Sequence, residues 1–433
     1  MSQSQEFLFP DIAPDEERGP DWLRDLRATA RKSFNASPLP QRGLHLWRYT
    51  DPASFVYPDN PAEIADADFT TGAGLKHLRH QHTAVHVSEY GGRLIECRDL
   101  EGDDYSGLYI APLSVAVESR RSLVEKHLYQ LVNLQTGKFE AMNGALWRDG
   151  IFVHVPDNTV ISKPIHLLRE AGGAFSVQFP RLLVIVGRNA EITLIDEYIG
   201  GAESNDAGVS YSNGAVEIFG APDSRVRYVS LQRQEPGIRT FLTMRARIEQ
   251  GASMLTVPLV FGAAVTKQNF GVILNGSGAQ SDMYGLVFGS EHRHFDNHTL
   301  HHHAAGHTRS NINFKVILRD RSVSAYTGLI RIDHDAQVCE AYQENRNLLL
   351  NTGTKAESIP ELEILNEEVM CTHGATVGPI DPMSLFYLTS RGIPRAEAVR
   401  MIVSGFVNPT IELLPVDLRE QIAEIVARRL ESI

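Results

Sequence analysis

The stretch Leu182–Ile195, LLVIVGRNAEITLI, runs one apolar strand into a Gly-Arg-Asn turn, closes that turn on Ala190 and resumes with a second strand. The same unit recurs as Val216–Val229 (VEIFGAPDSRVRYV, closing on Ser224), Met244–Val257 (MRARIEQGASMLTV, Ala252), Phe270–Gly289 (FGVILNGSGAQSDMYGLVFG, Ala279) and Phe314–Ile330 (FKVILRDRSVSAYTGLI, Ser322). The closing residues lie 34, 28, 27 and 43 positions apart. A length-variable repeat of strand, tight turn and strand suits a solenoid, because each coil leaves an apolar face that only the next coil covers. A β-sandwich or propeller with Gly, Asn and Asp turns would space them more evenly. The six-residue repeat of left-handed β-helices is absent, so the expected coil is the irregular parallel kind.

Outward from this core, no helix of ten residues is expected between Ile151 and Leu350. The preceding zone, 1–150, reads as α+β. Trp22, Leu23, Leu26, Ala30 and Phe34 share a helical face after Pro20 and Asp21, and Leu123, His127, Leu128 and Leu131 suggest a second helix over Ser119–Val132. Between them TAVHVSEYGGRLIECRDL alternates apolar and polar residues around Gly91 and Gly92, a hairpin pattern. The core is expected over 151–370 and a helical domain over 371–433. There Asp381 caps a helix begun by Pro382, with Leu385, Phe386 and Leu388 inside and Gly392 just past its end. Pro394 opens a second helix with Ala398, Met401, Ile402 and Phe406 as its apolar face. Asp417 caps a third, with Leu418, Ile422, Ile425, Val426 and Leu430 on one side.

The chain has 433 residues, 42% apolar and 22% charged, the composition of a folded protein of two or three domains. Its net charge of −12 argues against a general nucleic-acid binder or a polybasic membrane anchor. The longest nearly apolar stretch, Met254 to Val265, falls short of the roughly 18 residues a membrane span needs. Cys97, Cys339 and Cys371 are too few and too scattered for a disulfide framework. The acidic first twenty residues have neither the basic start and apolar core of a secretion signal nor the arginine-rich character of a transit peptide. A cytoplasmic location is expected.

No nucleotide motif survives inspection. Thr136-Gly137-Lys138 looks like the end of a phosphate loop, but Val132 stands where its first glycine belongs and Phe139 follows the lysine. Asn275 to Gly278 reads as a turn between strands. The densest polar feature is EHRHFDNHTLHHHAAGH, with His292, His294, His298, His301, His302, His303 and His307. Alternate strand positions point the same way, so His301 with His303, or His292 with His294, could share a divalent metal. Seven imidazoles exceed any one coordination shell, so many must be packed or solvated. The second feature is CTHGATVG from Cys371 to Gly378. In an extended segment Cys371 and His373 project to one side, about 7 Å apart, a thiol and an imidazole suited to iron or a sulfur species. The plainer reading is a small buried cysteine and a histidine bonded to a turn carbonyl.

The longer string around that pair is NRNLLLNTGTKAESIPELEI followed by VMCTHGATVGPIDPMSLFYLTSRGIPRAEAVRMIVSGF. It resembles the signature of the SufB/SufD family of iron–sulfur cluster assembly proteins. LHLWRYTDP is similar to the tryptophan–tyrosine motif of SufD-type chains, NGALWRDGIFVHVPDNTVISKPIHL to the family's entry into its core, and HHAAGHTRS to the segment holding one family histidine, here His303. The resemblance spans most of the chain. It implies a right-handed parallel β-helix core flanked by N-terminal and C-terminal helical regions, and a scaffold without catalysis of its own.

The family further implies a SufB-like paralogue paired through the β-helices and a SufC-like ABC ATPase docked on the C-terminal helices, so that this chain binds no nucleotide. A transient iron–sulfur cluster or iron would assemble at the SufB interface, with His373 as this chain's ligand or iron-entry residue and Cys371 beside it. A neutral imidazole is required there, so assembly is expected to weaken toward acidic pH. The implied ATPase contact runs from Ser384 to Phe406 and includes Leu385, Phe386, Tyr387, Arg391, Gly392, Met401 and Phe406. A homodimer of the isolated chain is compatible with this picture. The chain departs from the family at Asn366 to Met370, where a lysine is lost, and at Asn311, Asn313 and Phe314 beside Lys315. Two other classes compete: a β-helix carbohydrate-active enzyme, which would need paired carboxylates on adjacent coils, and a histidine-rich metal enzyme of cupin type on a double-sheet barrel.

Overall fold

The computed structural model describes residues 19–56, 85–91, 93–97, 107–201 and 208–431. The opening eighteen residues, on which the reading of the N-terminus rested, and Gly92 of the hairpin lie outside them.

Two sheets of parallel strands wind into a β-solenoid of about eight turns. One sheet runs, in spatial order, Arg93–Cys97, Val85–Tyr90, Ile165–Ala171, Glu191–Gly200, Arg225–Gln232, Ser253–Val260, Gln280–Gly289, Arg309–Leu318, Cys339–Leu349 and Val369–Pro379. The other runs Tyr109–Pro112, Ile151–Val155, Arg181–Val186, Ser210–Gly220, Ile238–Ile248, Val265–Leu274, His294–His303, Val323–Ile332 and Lys355–Ile364. Among the described residues antiparallel pairing occurs only at the N-terminal margins: the hairpin read around Gly91, and Tyr109–Pro112 against Ile151–Val155. This parallel stack is neither a sandwich, a propeller nor a cupin-type barrel.

The repeat found in the sequence is one corner of this coil. Ala190, Ser224, Ala252 and Ala279 are buried there, and each carbonyl accepts the N–H that opens the next rung: Arg225, Ser253, Gln280 and Arg309, at 2.8 to 3.1 Å. Only a small side chain fits where four rungs' turns stack. The residue before each has positive φ, at Asn189, Asp223, Gly251 and Gly278, which is why Asn, Asp and Gly recur. Ser322 belongs to a different corner, opening a strand of the other sheet, and this accounts for the irregular last spacing. The true continuation is Thr308 and then Cys339, 29 and 31 residues further on, preceded by His307 and Val338 at positive φ.

Three apolar layers follow. The lumen holds Ile192, Leu194, Val216, Met244, Val272, Met283, Val316 and Ile330 among others. The outer face of the second sheet is covered from the N-terminal side by α1 (Asp21–Ala36), α2 (Leu113–Ser119), α3 (Arg121–His127) and α4 (Lys138–Leu146). The outer face of the first sheet is covered by α5 (Pro382–Ser390), α6 (Arg395–Ile411) and α7 (Val416–Leu430). Covered on both faces, many strands read as continuous apolar runs rather than alternating ones.

The expected Ser119–Val132 helix is realised only as α3, which ends at His127. The chain then turns at Tyr129, φ 59°, and its amides at Tyr129, Leu131 and Val132 donate to the buried Glu217 carboxylate at 2.6 to 3.0 Å. That carboxylate, itself paired with Arg181, competes successfully with further helical hydrogen bonds. The LHLWRYTDP segment straps the same sheet. Trp47 stacks on Phe241 at 5.8 Å between ring centroids, and Thr50 donates to Asp296 at 2.5 Å, a carboxylate also held by Lys267 at 2.8 Å. Lys138, from the failed phosphate loop, spends its ammonium on the carbonyls of Phe34 and Ser37 at the end of α1.

Asp381 caps α5 as expected, accepting from Met383 N, Ser384 N and Ser384 Oγ. Gly392 follows that helix at φ 86°. Three C-terminal details differ from expectation. Phe386 faces outward rather than inward. The buried side of α6 is Ala398, Val399, Val403 and Val407, leaving Met401 exposed. Asp417 lies in the first turn of α7, whose N-cap is Pro415.

Candidate functional site: the open end of the solenoid

The last coil ends on two edge strands. Among the described residues Lys355–Ile364 pairs only with Val323–Ile332, and Val369–Pro379 only with Cys339–Leu349. Each presents a row of main-chain groups on its free side. The strand Val369–Pro379 runs past the expected core limit at 370, so Cys371 and His373 lie on the final rung of the solenoid and not in the helical region.

Their environment follows from register. On the preceding rung the residues pointing into the lumen are Cys339, Ala341, Gln343, Asn345 and Asn347, all buried. Their partners on the last rung are Val369, Cys371, His373, Ala375 and Val377. Val369 and Cys371 still pack against the lumen core, which fixes the side they face. His373 continues that file but is exposed, because no further coil closes over it. Cys371 and His373 do therefore share a side, as the alternation required. Cys371 is half-buried, and burial raises its thiol pKa, so the protonated form is favoured until a cation or metal draws the proton off. Around this mouth Met370, Val377, Ile364, Leu365 and Tyr342 are exposed apolar side chains.

The histidine run is interior material. His301 and His303 both point into the lumen; His301 Nε2 meets Ser281 Oγ at 3.1 Å, and His303 bonds Thr308 Oγ1 at 2.7 Å and Ser310 Oγ at 2.8 Å. Both ring nitrogens of His303 are engaged by hydroxyls, and among the described residues no group of three or more His, Cys, Asp and Glu side chains converges on a metal position. Burial lowers the pKa of His301 to about 3 and that of His303 to about 4, so both rings are neutral packing elements. His294 and His298 lie on the outer face beneath the Trp47 strap, with His294 beside Thr50 and His298 Nε2 2.8 Å from Asp296.

The helical surface expected to dock a partner divides in two. Leu385 is buried and Phe406 half-buried, so they build the bundle. Phe386 (65% exposed), Tyr387 (58%) and Met401 (47%) form the outward apolar patch, with Arg391 stacked 5.1 Å above the Tyr387 ring. A cleft of about 520 Å³ lies beside it, between the coil end at Leu349, Leu350 and Pro379 and the helical residues Leu385, Phe386 and Val399. Sequence reasoning missed the residues that fasten this bundle. Arg429 donates to the carbonyls of Phe261 and Phe288 on successive rungs, and Lys315 to that of Phe406. Nothing in local pattern marks them, since their partners lie 91 to 168 residues away.

No described helix is long and apolar enough to cross a membrane. Compared with known families, residues 167–406 match the SUF system FeS cluster assembly, SufBD core domain, and residues 81–167 match the SufBD protein N-terminal region. Among curated proteins the chain is similar to an iron–sulfur cluster assembly SufBD family protein of Staphylococcus aureus strain MRSA252, 25% identical with 95% of this chain and 90% of the relative covered. A protein of the same description from Staphylococcus epidermidis is 24% identical over the same shares.

Proposed function

This chain belongs to the SufBD family of iron–sulfur cluster assembly proteins, and from that premise we propose that it is the SufD-type, non-catalytic scaffold subunit of a cytoplasmic SufB–SufC–SufD complex. The observation that carries this reading is the open coil end: two edge strands each free on one side, an apolar rim and the Cys371–His373 pair meet there. Edge strands pair readily with another chain's strands, and a SufB-like solenoid is the partner proposed for this one. An iron–sulfur cluster takes four ligands, more than Cys371 and His373 supply, so the paralogue brings the remainder. The cluster is cargo: His373 ligates it or admits iron, and Cys371 lends a second donor.

The patch of Phe386, Tyr387 and Met401 is the proposed seat of a SufC-like ATPase, whose ATP-driven motion is delivered through the bundle to the coil end. The absence of a phosphate loop at Thr136-Gly137-Lys138 accords with a nucleotide bound by the partner. Co-purification tests the class: recovery of an ABC-type ATPase and a longer SufB-like chain is expected. His373→Ala should leave folding and ATPase binding intact while lowering cluster formation in the full complex. Loss of ATPase binding with cluster formation unchanged would contradict the assignment.

A further inference from the structure

Behind His373 the lumen is polar. The rung beneath it points three amide side chains inward, Gln343, Asn345 and Asn347, all buried. Each spends its N–H on a main-chain carbonyl: Gln343 Nε2 on Gly328 O at 3.1 Å, Asn345 Nδ2 on Phe314 O at 3.0 Å, and Asn347 Nδ2 on Thr376 O of the last rung at 3.0 Å. The acceptor at Gly328 decides which end of the Gln343 amide is nitrogen. Gln343 is also wedged sterically, since a Cβ at Gly328 would lie 2.4 Å from its Nε2 and 2.5 Å from the Tyr326 hydroxyl. What remains is Gln343 Oε1, an acceptor in a residue of 0% exposure with no hydrogen-bond partner among the described residues. An unmet buried acceptor costs about 1–3 kcal/mol. The register partner of Gln343, on the same lumen side, is His373.

We propose that Gln343 is the positioning residue for His373: the exposed imidazole turns inward so that Gln343 Oε1, unpartnered in the structure, accepts one ring N–H, and the other, unprotonated nitrogen faces out of the coil mouth as the donor atom. The inference rests on the reading of His373 as the cluster-site residue and adds the element that orients it. Histidine ligands to metals commonly give their second N–H to such an acceptor, which sets the tautomer and the ring angle. An imidazole on an exposed edge strand, with nothing behind it, would share its proton between both nitrogens.

The test is the tautomer of His373 in the full chain, read from ring ¹⁵N shifts of histidine-labelled protein at a pH where imidazoles are neutral, with His373→Gln assigning the signal. In the parent chain one nitrogen should carry the proton and the other a free lone pair. In Gln343→Leu the two signals should move toward each other as the tautomers mix. Gln343→Met serves if the leucine variant fails to fold. Cluster yield in the full complex should fall roughly 10- to 100-fold in the leucine or methionine variant. An unchanged tautomer in a folded Gln343 variant overturns the positioning role. Mixed tautomers with unchanged cluster yield uphold it and overturn instead the reading of His373 as a cluster residue.

Discussion

Lys315 donates through Nζ to the main-chain oxygen of Phe406 at 2.7 Å, and its ammonium lies 5.4 Å from the centre of the Phe406 ring. Lys315 sits on the rung Arg309–Leu318 and Phe406 in α6, so one side chain ties the coil to the proposed docking helix. Burial lowers the lysine pKa, and the amine keeps N–H donors for this carbonyl whether or not it is charged. Lys315→Met should cost about 1–3 kcal/mol and raise amide exchange in α5 and α6 while the lumen strands keep their protection. Uniform loss of protection across the chain would place Lys315 in the core's stability and deny it the role of a tether.

Exposed apolar side chains on a fixed helix are cheap to change and expensive for a partner to lose. Phe386→Glu, Tyr387→Glu and Met401→Glu should each alter the melting free energy by less than about 0.5 kcal/mol. Phe386→Glu and Tyr387→Glu should abolish capture of a SufC-like ATPase, and Met401→Glu should weaken it. Undiminished capture by the double variant, measured by pull-down from a co-expressing strain, would remove this patch from the interface.

The lumen histidines make the fold acid-sensitive. His301 and His303 hold pKa values of about 3 and about 4, below the ordinary 6.5 that they regain on unfolding. The unfolded chain therefore takes up protons first. Their contribution is complete above pH 6.5 and is lost as the pH falls to about 4 for His303 and about 3 for His301, on the order of 3 to 5 kcal/mol for each. Glu89, raised to about 7 by burial, acts oppositely over pH 4.5 to 7, where its extra native-state proton favours the fold. Denaturant titrations between pH 4.5 and 6.5 should show His301→Gln and His303→Gln each flattening the pH dependence by about one proton. An unchanged slope in both would mean that these rings stay solvated in the native state.

Val338 is the misfit of its corner. It holds φ 56°, where the equivalent positions carry Asn, Asp, Gly and His, and its side chain is exposed. A left-handed conformation costs an L-residue about 1–2 kcal/mol, and β-branching adds to it. Val338→Gly or Val338→Asn should therefore stabilise the chain by about 1 kcal/mol, measured by chemical denaturation. Destabilisation by both would show that the valine side chain makes a compensating contact.

Much of the solenoid was legible because its cause is local. Asn189, Asp223, Gly251 and Gly278 take positive φ, Ala190, Ser224, Ala252 and Ala279 fit a crowded corner, and these choices recur at one coil's length. The corner was lost at Thr308 and Cys339 because His307 and Val338 are unusual left-handed residues and a threonine and a cysteine replace alanine. Ser322, which looked equivalent, stands at another turn.

The candidate site was legible in its residues and illegible in its setting. Alternation along one strand put Cys371 and His373 on one side, and that follows from strand geometry alone. Which strand is last, and so whether an inward-pointing imidazole meets water or a further coil, depends on pairings between segments some thirty residues apart. The same alternation made His301 and His303 look like His373, yet coils on both sides bury them as neutral core groups. The sequence by itself determined the coil, its turns and the helices at either end, because those rest on short-range sterics and apolar periodicity. Only the tertiary structure decided which histidine remained open, which face of α6 was covered, and that Lys315 and Arg429 fasten the bundle, because burial belongs to the neighbours that long-range packing supplies.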